Sequence, residues 1–196
     1  MAKPVKRRYF QGVWTVIRFN WHLHALALAS IVTLLVAAYL LTGYMAWAFA
    51  LLAAFATCSV LLSLLATWHA YDASKLYQVA WLAPTLKHAR RAANIHAGFD
   101  ETTILLQAEC PRIHWQIFDF YQPAKHTEIS IRRARKAHRL LSNTISIDTD
   151  HIPVASSTLD CALLFLAAHE IRDHDERVTF FRELKRTLAP GGRVIV

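Results

Sequence analysis

Between Ala25 and Trp68 the chain carries no Asp, Glu, Lys or Arg, and Leu, Ala, Val and Ile dominate the run. A helix of about 20 apolar residues crosses the hydrocarbon core of a bilayer, so these 44 residues are long enough for two spans. Helices suit the task because they satisfy every backbone polar group internally. The spans are predicted near Ala25–Leu41 and Trp47–Trp68, with Thr42-Gly43-Tyr44 as the turn. Tyr44, Trp47 and Trp68 then fall near the membrane–water interfaces, where amphipathic rings prefer to lie. Lys3, Lys6, Arg7, Arg8 and Arg18 precede the pair, Lys75, Lys87, Arg90 and Arg91 follow it, and the turn is uncharged. Positive residues stay on the cytoplasmic side. Both termini are therefore expected in the cytoplasm, and the chain in the bacterial inner (cytoplasmic) membrane. A cleaved signal peptide fits poorly, since its apolar core is only about 7–15 residues long. The alternative is a buried helical hairpin in a soluble protein.

Composition agrees with this concentration of apolar residues. Hydrophobic residues make up 55% and charged residues 18% of the chain, against about 25% charged in an ordinary soluble domain. Yet the net charge is +8. The flanks are predicted as follows. Residues 1–24 form a basic amphipathic segment in which Phe10, Val13, Trp14, Ile17 and Trp21 recur at helical spacing, as in a helix lying among headgroups or one extending the first span. Residues 69–92 form a juxtamembrane helix and linker, with Tyr71, Leu76, Tyr77, Trp81 and Leu82 on the helix, a break at Pro84 and a basic junction over residues 87–91. Cys58, Cys110 and Cys161 are too scattered for a disulfide framework or zinc knuckle. His22-x-His24 is a pair that could bind metal, but histidine at a membrane interface needs none to explain it, and His169-Glu170 lacks the second His of a zinc-protease helix; no metal is expected.

From residue 93 the pattern changes to short apolar runs alternating with amphipathic helices, the signature of βαβ units and a parallel sheet. The fold class is thus α/β, a two-helix transmembrane hairpin (25–68) followed by a partial Rossmann-like sheet (93–196). Strands are predicted at Asn94–Ala97, Ile113–Phe118, Thr144–Ile147, Leu159–Leu166 and from Arg193. Helices are predicted at about Glu101–Glu109, Thr127–Leu141 and Asp175–Leu188, the last burying Val178, Phe181, Leu184 and Leu188 and stopped by Ala189-Pro190-Gly191-Gly192.

The stretch Ile152-Pro153-Val154-Ala155-Ser156-Ser157-Thr158-Leu159-Asp160, then Leu163–Glu170, then Arg182-Glu183-Leu184-Lys185-Arg186-Thr187-Leu188-Ala189-Pro190-Gly191-Gly192-Arg193 resembles the second half of a class I S-adenosylmethionine-dependent methyltransferase of the type 11 kind. The resemblance covers about 100 residues and implies strands 1–5 of that fold, S-adenosylmethionine as cofactor and methyl transfer as activity. The family's sheet has seven strands and this sequence stops within the fifth, so the domain is expected to be incomplete at its C-terminus. Ligands of open parallel sheets bind beyond the carboxyl ends of the strands. The family's ribose-binding acid falls on Asp119 at the end of strand 2, and its adenine-binding acid on Asp148, followed by Thr149. The glycine-rich first turn of the family falls on Asn94-Ile95-His96-Ala97-Gly98-Phe99-Asp100. Gly98 matches, Asn94 replaces an acid, and His96 and Asp100 replace glycines; these two either hydrogen-bond the ligand or fill its pocket. His169 and Glu170 lie where the family places substrate-facing residues. The alternative for Asp119 and Asp148 is a pair of carboxylates capping strand ends.

The helix bearing Arg132, Arg133, Arg135, Lys136, His138 and Arg139 is either a solvated face or a contact for anionic headgroups, worth about 1 kcal/mol per cation. It lacks the aromatic platforms of a nucleic-acid site, so no specific nucleic acid is expected. The expected partners are the lipid bilayer, its anionic headgroups and a methyl acceptor that no residue identifies. Two other readings compete: a non-catalytic membrane scaffold or binding protein on a degenerate methyltransferase fold, and a nucleotide-binding protein of another Rossmann family.

Overall fold

The computed structural model describes residues 8–74, 76–138 and 140–196; expectations resting on Lys3, Lys6, Arg7, Lys75 and Arg139 lie outside the described residues. The chain divides into two compact units, one ending at Tyr77 and the other beginning at Gln78.

The first unit is helical. Helix α1 (Gln11–Phe19) stops at Asn20, which leaves helical geometry, so Trp21 belongs to α2 (Trp21–Leu40) and not to α1. After Leu41 and Thr42 the chain enters α3 (Gly43–Trp68). Gly43 has φ +63°, a value that glycine adopts without penalty. Both α2 and α3 are apolar all round and long enough to cross a membrane, by length and composition. They pack on each other, yet α2 buries no residue and α3 only Ala53. Leu28, Val32, Leu35, Val36, Leu51, Leu52 and Phe55 face outward. Each helix begins about four residues before its predicted start.

A single turn of π-helix (His69–Ala73) follows α3 and carries Asp72. Its carboxylate accepts from the backbone N–H of Gly12 (2.8 Å) and of Val13 (3.1 Å), supplying the acidic cap that the first turn of α1 lacks in its own sequence. Only glycine permits this approach, since a Cβ at position 12 would lie 2.4 Å from Tyr71 Cβ.

In the second unit a 3-10 turn (Ala80–Leu82) leads into the short helix α4 (Ala83–Leu86). Pro84 starts this helix and does not break it, because proline has no N–H to lose in a first turn. Val79, Leu82 and Leu86 are buried with Ala92 and Trp115, so the unit's core begins well before residue 93. The remaining elements are β1 (Arg91–His96), α5 (Thr103–Glu109), β2 (His114–Asp119), α6 (Ile129–Ala137), β3 (Thr144–Ser146), β4 (Leu159–Leu163), α7 (His174–Thr187) and β5 (Leu188–Ile195). All five strands are parallel, in the order β3-β2-β1-β4-β5. This is the doubly wound Rossmann-like arrangement, and its winding reverses between β1 and β4. Pleating sends Ala93, Ile95 and Ala97 into the core under α7 and turns Ala92 to the opposite core.

Three expectations are corrected. Of the predicted buried face of α7, Leu184 is buried and Phe181 and Leu188 pack against the core, but Val178 is exposed, and Phe180 and Thr187 are the buried residues left out of that face. Strand β4 ends at Leu163, because the chain turns at Leu166, which has φ +52°. Residues 189–192 do not simply stop a helix. They form a bulge inside β5, where Leu188 pairs with Leu159 and Arg193 with Cys161. A Cβ on Gly192 would sit 2.9 Å from the carbonyl oxygens of Ala189 and Leu159.

Two carboxylates hold distant segments in place. Asp160 accepts from the amides of Arg90 (2.7 Å) and Arg91 (3.0 Å), fixing the start of β1. Glu183 takes the amide of Ile152 (3.0 Å) and a two-pronged pair from Arg186, whose guanidinium also donates to the carbonyls of Ile152 and Val154. These bonds hold the Glu183 carboxyl at about 2, below its ordinary 4.5. Because the folded value is the lower one, this stabilisation is complete above pH 4.5 and is lost as pH falls towards 2. Glu183→Gln is expected to cost about 1.5–3 kcal/mol at pH 7 in denaturant unfolding. Between pH 4.5 and 2 its stability should fall less steeply than that of the parent.

Candidate active site at the carboxyl end of the sheet

Parallel register sets His96 beside Asp119, and Asp119 beside Ser146, at the carboxyl ends of β1, β2 and β3. Ligands of open α/β sheets bind at this end, where the winding reverses.

The first turn is built from side chains. Asn94 lies buried on β1, and its amide donates to the hydroxyls of Thr103 (2.7 Å) and Thr102 (3.0 Å) at the start of α5. Asp100 Oδ1 accepts from the backbone amides of Thr102 (3.0 Å) and Thr103 (2.9 Å), closing the turn. Gly98, with φ +83°, donates its amide to Asp119 Oδ1 at 2.7 Å. A side chain there would press on the Tyr121 ring at 3.0 Å, so the turn tolerates only glycine.

Asp119 has a side chain with no exposed surface. Its Oδ1 also accepts from the Tyr121 amide (2.9 Å), and its Oδ2 from the Arg135 guanidinium of α6. The same guanidinium lies 4.5 Å from the Tyr121 ring centre, a cation–π distance. His96 stands between two carboxylates, with Nδ1 3.6 Å from Asp119 and Nε2 3.9 Å from Asp100. Neither nitrogen makes a hydrogen bond, and Asn94 Oδ1 and Asp100 Oδ2 are likewise buried without one. Burial holds the imidazole below its ordinary 6.5; Asp100 and Asp119 oppose this and Arg135 assists it.

Asp148 and Thr149 line a neighbouring open cleft of about 360 Å³ with Gln122, Lys125, Asp150, Glu176 and Thr179. Gln122 donates to Asp148 (2.6 Å), while Lys125 (2.7 Å) and the Thr149 hydroxyl (2.5 Å) converge on Glu176 Oε1. The structure thus joins His96, Gly98, Asp100 and Asp119 in one cluster, and Asp148 with Thr149 in another. His169 and Glu170 sit on a 3-10 turn and face each other at 3.1 Å, His169 largely exposed; among the described residues no hydrogen bond or ion pair links them to either cluster. Four participants escaped the sequence reading. Gln122, Lys125 and Glu176 meet only through the fold. Arg135 left one signal: Ala134, a small residue amid cations, marks the helix face that turns inward.

A family model described as a methyltransferase domain matches residues 122–196. No curated protein matches the chain. Similar solved structures include the YcgJ protein from Bacillus subtilis (20% identity, 59% of this chain and 47% of that one, TM-score 0.39). Another is an S-adenosylmethionine-dependent methyltransferase from Aquifex aeolicus (17% identity, 52% of each chain, TM-score 0.35). A third, from Thiobacillus denitrificans, holds S-adenosyl-L-homocysteine (20% identity, 60% of this chain and 46% of that one, TM-score 0.34). The chain spans about half the length of these structures.

The neutral, buried His96 has a thermodynamic consequence. Its folded value lies below 6.5, so the unfolded chain binds this proton more readily, and stability should decline as pH falls below 6.5. His96→Gln is expected to lose less stability than the parent between pH 6.5 and 5 in denaturant unfolding. Parallel pH profiles would show that the imidazole is not held neutral.

Proposed function

We propose that this chain is a membrane-anchored methyltransferase using S-adenosylmethionine, held by its apolar hairpin in the bacterial inner membrane with both termini cytoplasmic. The observation that carries the reading is Asp119: a buried carboxylate at the carboxyl end of β2, bonded to the amide of a glycine with positive φ in the turn after β1. The methyltransferase-domain match over residues 122–196 supports it from the adjoining half of the sheet.

The residues fit the cofactor on chemical grounds. Asp119 would accept from the ribose hydroxyls, Gly98 allows close approach of the backbone, and Asp148 and Thr149 border the cleft that would take the adenine. Bound there, the sulfonium supplies an electrophilic methyl group. Beyond the donor, His169 and Glu170 remain the substrate-facing candidates. The anchor brings lipid-like, quinone-like and membrane-protein acceptors within reach, and the cations of α6 would favour anionic headgroups.

A second reading is a non-catalytic membrane scaffold. The observation favouring it is that His96 and Asp100, in place of glycines, are packed into the first turn and Asp119 is engaged by the chain's own Arg135. Calorimetric titration of the full chain in mild detergent separates the two. The enzyme reading expects saturable binding of S-adenosylmethionine, weakened by about 1–3 kcal/mol in Asp119→Asn, a change that keeps an acceptor for Gly98 and Tyr121. Absence of binding at millimolar ligand by folded protein would leave the scaffold. The anchor has its own check: the intact polypeptide should stay with membranes through a carbonate wash, and release would refute it.

A further inference from the structure

The Asp119 carboxylate presents no exposed surface to a ligand. Both backbone donors converge on Oδ1, and Oδ2 belongs to Arg135. A ribose diol, which must donate its hydroxyls to this group, would have to replace the guanidinium. We propose that Arg135 is an internal gate: helix α6 holds its guanidinium on Asp119 when the site is closed, and ligand entry swings it away. The proposal rests on reading Asp119 as the ribose acceptor.

Three features suit α6 to this movement. Ala134 is the only residue it buries, and an element with so little buried apolar surface opens at low cost. Arg132 and Lys136 already face solvent, so Ala134 is the one buried side chain of α6 that displacement would uncover. The Arg135 side chain is itself 29% exposed, so it can leave through solvent without crossing the interior. The backbone bonds from Gly98 and Tyr121 stay in place meanwhile, keeping the carboxylate oriented for the incoming hydroxyls. The arrangement also explains how a buried carboxylate is tolerated without ligand: the guanidinium supplies the compensating charge that burial demands.

The test uses the full chain in mild detergent and S-adenosylmethionine as the probe. Arg135→Gln keeps most of the side-chain stem but removes the charge, and should bind about tenfold tighter than the parent, the scale of one charge-assisted hydrogen bond. In the unaltered chain, amide hydrogen exchange over residues 129–137 should speed up when ligand binds, whereas a merely structural Arg135 would leave it unchanged or slower. Equal or weaker binding by folded Arg135→Gln, or α6 exchange that does not speed up, overturns the gate while leaving the methyl-donor reading intact. If Arg135→Gln fails to fold, exchange in the unaltered chain decides alone. No binding by either protein at millimolar ligand overturns both.

Discussion

A carboxylate without solvent contact sits at the end of β2, and the upper end of the sheet is organised around it. An ionised group in such a place is costly unless it is paired and hydrogen-bonded. Asp119 meets that demand with donors from three elements: Gly98 in the turn after β1, Tyr121 beyond its own strand, and Arg135 on α6. One side chain therefore closes the first turn, sets the exit of the second strand and seats a helix that has almost no apolar hold of its own. His96 feels the same charge from the other side, and its buried, unbonded nitrogens mark the point where the cluster is least satisfied.

The residues that most resemble a methyltransferase do different work. Glu183 and Arg186 clasp the loop around Ile152 and Val154 to α7, Asp160 pins the start of β1, and Gly192 permits a bulge that no side chain could enter. These are constraints of packing. The opposite, polar end is built differently: Asn94 and Asp100 close the turn after β1 with side-chain hydrogen bonds, and His96 is buried between Asp100 and Asp119 without one.

This division explains what could be read in advance. The strands were legible because parallel strands are short apolar runs, and Asp119 and Gly98 because they end such runs at βαβ spacing. On α7, Leu184, Phe181 and Leu188 were legible as the inward side, but not the choice between Val178 and Phe180: both are apolar, and only the sheet decides which turns inward. Leu166 and residues 189–192 were misread because bulges and left-handed residues follow from pairing register, which a single strand does not carry. Arg135 was read among its neighbours as one more surface cation, since its partner lies 16 residues away and across a crossover. The helix-capping role of Asp72 on α1 was invisible for the same reason, spanning the whole hairpin.

Two kinds of surface thus meet in one sequence: a helical pair whose outer face is almost wholly apolar, and a sheet whose functional end is almost wholly polar. The central claim is that the polar end around Asp119 takes the ligand. Amide chemical shifts recorded on the isotopically labelled chain during addition of S-adenosylmethionine address it directly. The account expects the largest changes at Gly98, Tyr121 and Thr149, the groups surrounding the two carboxylates. Changes centred on Arg91, Ile113 and Leu159, at the opposite end of the strands, would contradict it.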